Sequence, residues 1–142
     1  MNPPDSRFEP IHEQFQPVSI EKIQELELKL SAKLPEPYIN FLMHYGGCGF
    51  SGFACAYFRG RRLPIAKFFD FEKLFSNLMY YDDLTADKKL AIANDFEGNI
   101  YVLDCSTSSV YYLDFTVNPP VGFLVETTFD RFLQSIQVEP SD

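Results

Sequence analysis

Pro35 and Pro37 impose a corner on this chain. Proline has no backbone N–H and its ring clashes in a helix interior, yet it suits the first helical turn. The pair therefore ends one helix and opens the next. Upstream, Ser19 stands as an N-cap, and Ile20, Ile23, Leu26 and Leu30 recur as one apolar stripe, with Leu28 off it. Downstream, Tyr38, Phe41, Leu42 and Tyr45 fall at i, i+3, i+4 and i+7. Gly46-Gly47 then stops the second helix, because glycine takes the left-handed C′ conformation cheaply. The first part of the chain reads as a helical hairpin.

The pattern changes after Gly47. Gly49–Phe58 reads as a strand with a possible bulge at Gly52, Arg59–Arg62 as a turn, and Ile65–Phe69 as a second strand. Asp70 caps a helix carrying Phe71, Leu74, Phe75 and Leu78, and Tyr80–Asp87 reads as an acidic loop. Lys89–Ala93, Ile100–Asp104, Val110–Phe115 and Val121–Val125 read as a meander of four strands. The turn Asn94–Asn99 calls for Gly98 at positive φ. Thr127 or Thr128 caps a last helix with Phe129, Phe132, Leu133 and Ile136 on one stripe. Residues 1–17, with four prolines, read as an extended arm on which Phe8, Ile11 and Phe15 can pack. Residues 18–138 read as one domain, and 139–142 as a fraying tail. Short turns between strands favour antiparallel pairing, so the fold class is α+β with helices covering a twisted sheet.

Composition narrows the function classes. A 142-residue chain that is 46% hydrophobic and 16% aromatic builds a core without disulfides or metals. Twelve Lys+Arg against 20 Asp+Glu give a net charge of −8, which argues against nucleic acid and against an anionic membrane surface, and suits a basic protein partner. Three cysteines (Cys48, Cys55, Cys105) with no CxxC fit reduced thiols in a cytoplasmic protein. The first residues lack the apolar run of a signal peptide, and no stretch is long and apolar enough for a transmembrane helix.

No motif calls for a cofactor. His12 and His44 lack partners at zinc spacing, and GxSxG, GxGxxG and P-loop patterns are absent. Asp95 and Glu97 precede a glycine but lack EF-hand spacing, so they read as turn residues rather than a cation site. Cys48 sits after a helix C-terminus, where the dipole disfavours a thiolate. Arg59, Arg61 and Arg62 form the basic cluster, read as a solvated turn guarding a sheet edge, with an anion clamp as the alternative.

The order of signals carries a resemblance. Leu34-Pro35-Glu36-Pro37-Tyr38 leads to Phe41-Leu42 and Tyr45-Gly46-Gly47. Ile92-Ala93-Asn94-Asp95 is followed by Gly98–Asp104, Val110–Asp114 and Thr128–Leu133. Over about residues 18–137 this resembles the SMI1/KNR4 family, the SUKH superfamily. The aromatic segment Phe50–Phe58, the Arg59–Arg62 turn and the lack of tryptophan depart from its pattern. The resemblance implies a SUKH-like α+β domain with no enzymatic activity. Many bacterial members are immunity proteins that neutralise toxins, often nucleases, and fungal members are signalling hubs. The expected role is an immunity protein that binds a basic toxin domain one to one, with a scaffold or regulatory module as the alternative. A third reading, a hydrolase, would need a concave pocket that brings together at least two of His12, His44, Cys48 and an aspartate. The expected contact residues are Tyr80, Tyr81, Asp82, Asp83, Asp87, Asp95 and Glu97. The acidic loop would speed encounter and the tyrosines would slow dissociation.

Overall fold

The computed structural model describes residues 5–140. The expectations for Pro3 and Pro4 and for Ser141 and Asp142 lie outside the described residues. The hairpin forms as its punctuation requires. Helix α1 (Ile20–Leu30) starts where the Ser19 hydroxyl accepts the Lys22 N–H, and it ends at Ser31, whose φ is 53°. Its buried face is Ile23, Leu26 and Leu30. The corner is secured by Glu27, whose carboxylate accepts the Leu34 N–H at 2.8 Å. Helix α2 (Glu36–His44) buries Tyr38, Phe41 and Leu42.

The two glycines after α2 are both required, for different reasons. Gly46 has φ +65°, and a Cβ there would lie 2.0 Å from the Gln16 carbonyl oxygen. A Cβ on Gly47 would lie 2.4 Å from the backbone nitrogen of Asp70. The chain thus brings two distant backbone segments against one glycine pair, which no side chain would allow.

Among the described residues, ten strands form two sheets rather than one. The large sheet has the order β1-β2-β5-β6-β7-β8-β9: β1 (Phe8–Pro10), β2 (Cys48–Phe50), β5 (Lys67–Phe68), β6 (Lys89–Asn94), β7 (Ile100–Asp104), β8 (Val110–Asp114) and β9 (Val121–Glu126). The small sheet has the order β10-β3-β4: β10 (Gln137–Pro140), β3 (Gly52–Phe58) and β4 (Arg61–Ile65). Every pairing is antiparallel. The expected single strand Gly49–Phe58 is two strands in different sheets. Its glycine is a corner, because a Cβ on Gly52 would lie 2.1 Å from the Glu139 carbonyl oxygen. The chain returns to the large sheet at Ala66, so the expected strand Ile65–Phe69 is also divided. The turn after β3 is only Arg59-Gly60, both at positive φ, and Arg61 and Arg62 already belong to β4.

The segment Tyr80–Asp87 is not an irregular loop. Helix α3 (Phe71–Tyr80), capped by Asp70, runs directly into α4 (Asp82–Ala86), where Asp82 and Asp83 stand in a favourable first turn. Among the described residues, the arm and the tail are also more ordered than expected. Phe8 in the arm is buried, and Glu139 in the tail pairs in β10. Arg7 joins the arm to α5 (Phe129–Ser135): its guanidinium donates to the carbonyls of Leu133 and Ile136 at 2.8 and 2.6 Å, and Asp5 holds it from behind at 2.8 Å. This supplies a cation at a helix C-terminus, where carbonyls lack partners.

The core centres on Phe68. Its ring lies 4.7 Å from Phe41, 5.9 Å from Phe50 and 6.3 Å from each of Phe8, Phe129 and Phe132. One buried ring from a two-residue strand therefore joins β1, β2, α2 and α5. Both faces of β7 are covered, since Ile100, Tyr101, Val102 and Leu103 are all buried. The Tyr101 hydroxyl crosses to the small sheet and donates to the carbonyls of Leu63 and Pro64 at 3.0 and 2.8 Å.

Glycine substitutions separate clash from strain. Gly47→Ala is expected to cost more than about 3 kcal/mol, because backbone must move to admit the methyl. Gly60→Ala, at φ +79° with open space around it, is expected to cost only about 1 kcal/mol. Chemical denaturation of the two variants measures the difference.

Candidate functional site

A groove of about 620 Å³ follows the outer side of β4. Phe53 and Phe96 stand at one end, Phe58, Arg59 and Phe123 at the other, and Arg61–Pro64 form the wall between them. Phe53 to Phe58 is five steps of extended chain, about 17 Å at the usual rise. The opposite wall comes from the loop Asn94–Asn99, from Tyr112, Asp114 and Thr116, and from β9. Sheet exchange creates this space. The chain leaves the large sheet after β2 and places the β3–β4 hairpin beside the far end of the same sheet, where Phe58 meets Phe123 at 5.2 Å.

The loop wall is rigid because of one buried carboxylate. Asp95 Oδ1 accepts the N–H groups of Glu97 and Asn99 at 2.8 and 2.9 Å. Its Oδ2 accepts Asn99 Nδ2 at 2.9 Å and the Tyr112 hydroxyl at 2.7 Å. Asn99 Oδ1 accepts the Phe115 N–H at 2.7 Å. Gly98, at φ +87°, closes the turn as expected. Burial, and then the bond to Asp95, push the Tyr112 phenol above its ordinary range, so it donates to Asp95 throughout the neutral range. The network holds Phe96 out, 68% exposed and stacked on Phe53 at 6.3 Å with the rings 9° from parallel.

The residues expected to contact a partner divide into three groups. Asp95 is only 7% exposed and all four of its hydrogen bonds stay within the protein; it shapes the loop instead of offering a contact. Glu97 is exposed on that loop and lines the groove. Asp82, Asp83 and Asp87 are exposed on α4 and its C-cap. Tyr80 is 79% exposed and edge-on to the half-buried Tyr81, which stacks on Phe115 at 6.3 Å. Phe115 follows Asp114 of the groove wall. The tyrosines and the groove therefore flank one strand end, while Asp82, Asp83 and Asp87 are not among the groove residues.

Sequence reasoning assigned no role to Phe53, Phe58, Phe96 and Phe123. A phenylalanine among turn formers at Phe96 was the available signal, since nothing in such a turn buries it. The arginine turn was noticed, but which wall it faces depends on the sheet exchange. Arg62 pairs with Glu139 at 2.6 Å across the small sheet, and the Arg59 guanidinium lies 5.2 Å over the Phe58 ring. Asp114 is held below the usual carboxylate range by the Thr116 hydroxyl and N–H, with a smaller contribution from the Arg61 charge.

The thiols and histidines have different surroundings. Burial pushes the thiols of Cys48 and Cys105 up from about 9 to about 12, so both are protonated at neutral pH. His44 bonds the Asn40 carbonyl within its own helix. His12 and Asp70 share a depression of about 10 Å³, which does not hold more than one water. Among the described residues, no three His, Cys, Asp or Glu side chains are placed to hold a metal ion, and no helix is long and apolar enough to cross a membrane.

The model of the SMI1 / KNR4 family (SUKH-1) matches residues 17–135 of the chain. Comparison with curated proteins finds no match.

Two outcomes follow from the site's chemistry. Asp95→Ala strands two backbone N–H groups and is expected to cost about 3 kcal/mol, against about 1 kcal/mol for Tyr112→Phe, both read by denaturation. The second outcome concerns alkali. A thiol that ionises less readily in the folded chain stabilises folding fully below about pH 9 and loses that contribution as pH rises to about 12. Stability is therefore expected to fall steadily across that window, and Cys48→Ala should flatten the slope in a denaturation series against pH.

Proposed function

The chain belongs to the SMI1/KNR4 family (SUKH-1), and from that premise we propose that it is a non-enzymatic immunity protein which neutralises a basic toxin domain by one-to-one binding. The observation that carries this reading is the preorganised groove face. Stacked Phe53 and Phe96 stand exposed at its rim, arginines line one wall, and a buried carboxylate network holds the other. Aromatic and arginine side chains on a rigid concave surface have the composition of interface hot spots. A surface ordered before encounter loses little conformational freedom on binding, so more of the contact energy becomes affinity.

Charge has a separate part in the proposal. The net charge of −8 raises the local concentration of a basic partner, and exposed Asp82, Asp83 and Asp87 contribute to that field. Occlusion of the toxin's substrate groove then needs only contact and shape, with no chemistry from this chain.

The test is calorimetric titration against the protein encoded beside this one, with a growth-protection assay in parallel. Nanomolar one-to-one binding with rescue supports the proposal; a neighbour that neither binds nor harms growth removes it in favour of a scaffold role. Phe96→Ala is expected to weaken binding by about 2 kcal/mol, roughly thirtyfold, mainly through faster dissociation. Asp82→Lys with Asp83→Lys should instead slow association at low salt and leave dissociation nearly unchanged. Unchanged association kinetics would take α4 out of the docking surface.

A further inference from the structure

The hydrogen-bonding capacity of the groove is unbalanced. Among the described residues, Arg59 and Arg61 form no ion pair and donate no side-chain hydrogen bond, although each guanidinium carries five N–H donors. The facing carboxylates are engaged to different degrees. Asp95 accepts four hydrogen bonds, and Asp114 accepts the N–H and hydroxyl of Thr116. On that wall Glu97 and the Oδ2 atom of Asp114 accept no hydrogen bond. Open donors thus concentrate on the β4 side, between apolar rings at both ends of the groove.

We propose that the groove takes an extended, carboxylate-bearing segment of the partner protein, with its acidic side chains on Arg59 and Arg61 and an apolar side chain on the Phe53–Phe96 stack. Guanidinium groups grip carboxylates in a planar, two-bonded fork. The length fits a short strand, and the position beside β4 favours extended chain. Pro64 in that strand offers no N–H, so side chains rather than a continuous backbone ladder select the ligand. The partner's overall basic charge is compatible with this, because long-range steering and local pairing act through different groups. The inference rests on the reading of the groove as the partner-binding face.

The experiment separates the two claims. The isotope-labelled full chain is titrated, by amide NMR, with a short peptide alternating glutamate and phenylalanine, and with counterparts carrying glutamine or lysine instead of glutamate. The glutamate peptide is expected to shift the signals of Arg59–Leu63 and Phe96, and Arg61→Glu to weaken it at least ~tenfold. Arg59→Gln, on an exposed turn, should weaken it in the same direction and guards against a folding effect. Equal shifts from the lysine or glutamine peptide, or none from the glutamate peptide, would overturn the proposal. Tight binding of the neighbouring protein that Arg61→Glu leaves unchanged would also overturn it, with the immunity reading intact. Failure of that neighbour to bind, beside a specific response to the glutamate peptide, would remove the immunity reading and leave the groove assignment standing.

Discussion

Rings packed around Phe68 hold the strands and helices of this fold together. Phe8, Phe41, Phe50, Phe129 and Phe132 reach that ring from four separate elements, and all meet it edge-on or tilted. Such geometry suits the quadrupoles of aromatic rings and adds to the area they bury. Strand β5 is only two residues long. It holds its place through this side chain more than through its ladder. With β5 secured between β2 and β6, the large sheet is continuous, and α2 and α5 are held against it.

That anchoring makes the sheet exchange possible. The chain leaves the large sheet after β2, builds β3 and β4 elsewhere and re-enters at β5. The excursion is stabilised at three points: Gly52 against the Glu139 backbone, Tyr101 on the carbonyls of β4, and Phe58 against Phe123. Between these points the groove stays open. Its two walls come from sequence segments about thirty or more residues apart, so its shape depends on the same packing that completes the core. The Asp95 network adds local rigidity. A buried carboxylate with four donors is costly to disturb, and it keeps Phe96 in solvent, where an isolated turn would let that ring collapse onto the nearest apolar surface.

Much of the fold was legible in the residues. Ser19, Asp70 and Thr128 cap the helices expected of them, and Gly46 and Gly98 take the positive φ expected of them. The α+β class and the family follow from that order of signals. The misreadings share one cause. Gly49–Phe58 was read as one strand, and Tyr80–Asp87 as a loop. In each, a local rule missed a contact beyond its reach: the Glu139 backbone at Gly52, and the Leu78 carbonyl, which accepts the Thr85 hydroxyl seven residues on, near the end of α4. Asp95 was expected to contact a partner because turn composition says nothing about a tyrosine seventeen residues on.

Four of the five helices among the described residues, most of the turns, the meander and the family were written in the residues themselves, because caps, glycines and apolar periods act within a few residues of chain. The sequence also determined the charge, and with it the sign of the field a partner meets. Tertiary structure decided the rest: two sheets instead of one, an arm and a tail drawn into them, and the arginine turn set across from a rigid aromatic loop. Those outcomes depend on contacts between segments far apart in the chain, where the excluded volume of a single Cβ or the reach of one phenol selects the arrangement. No local pattern of residue types contains that information.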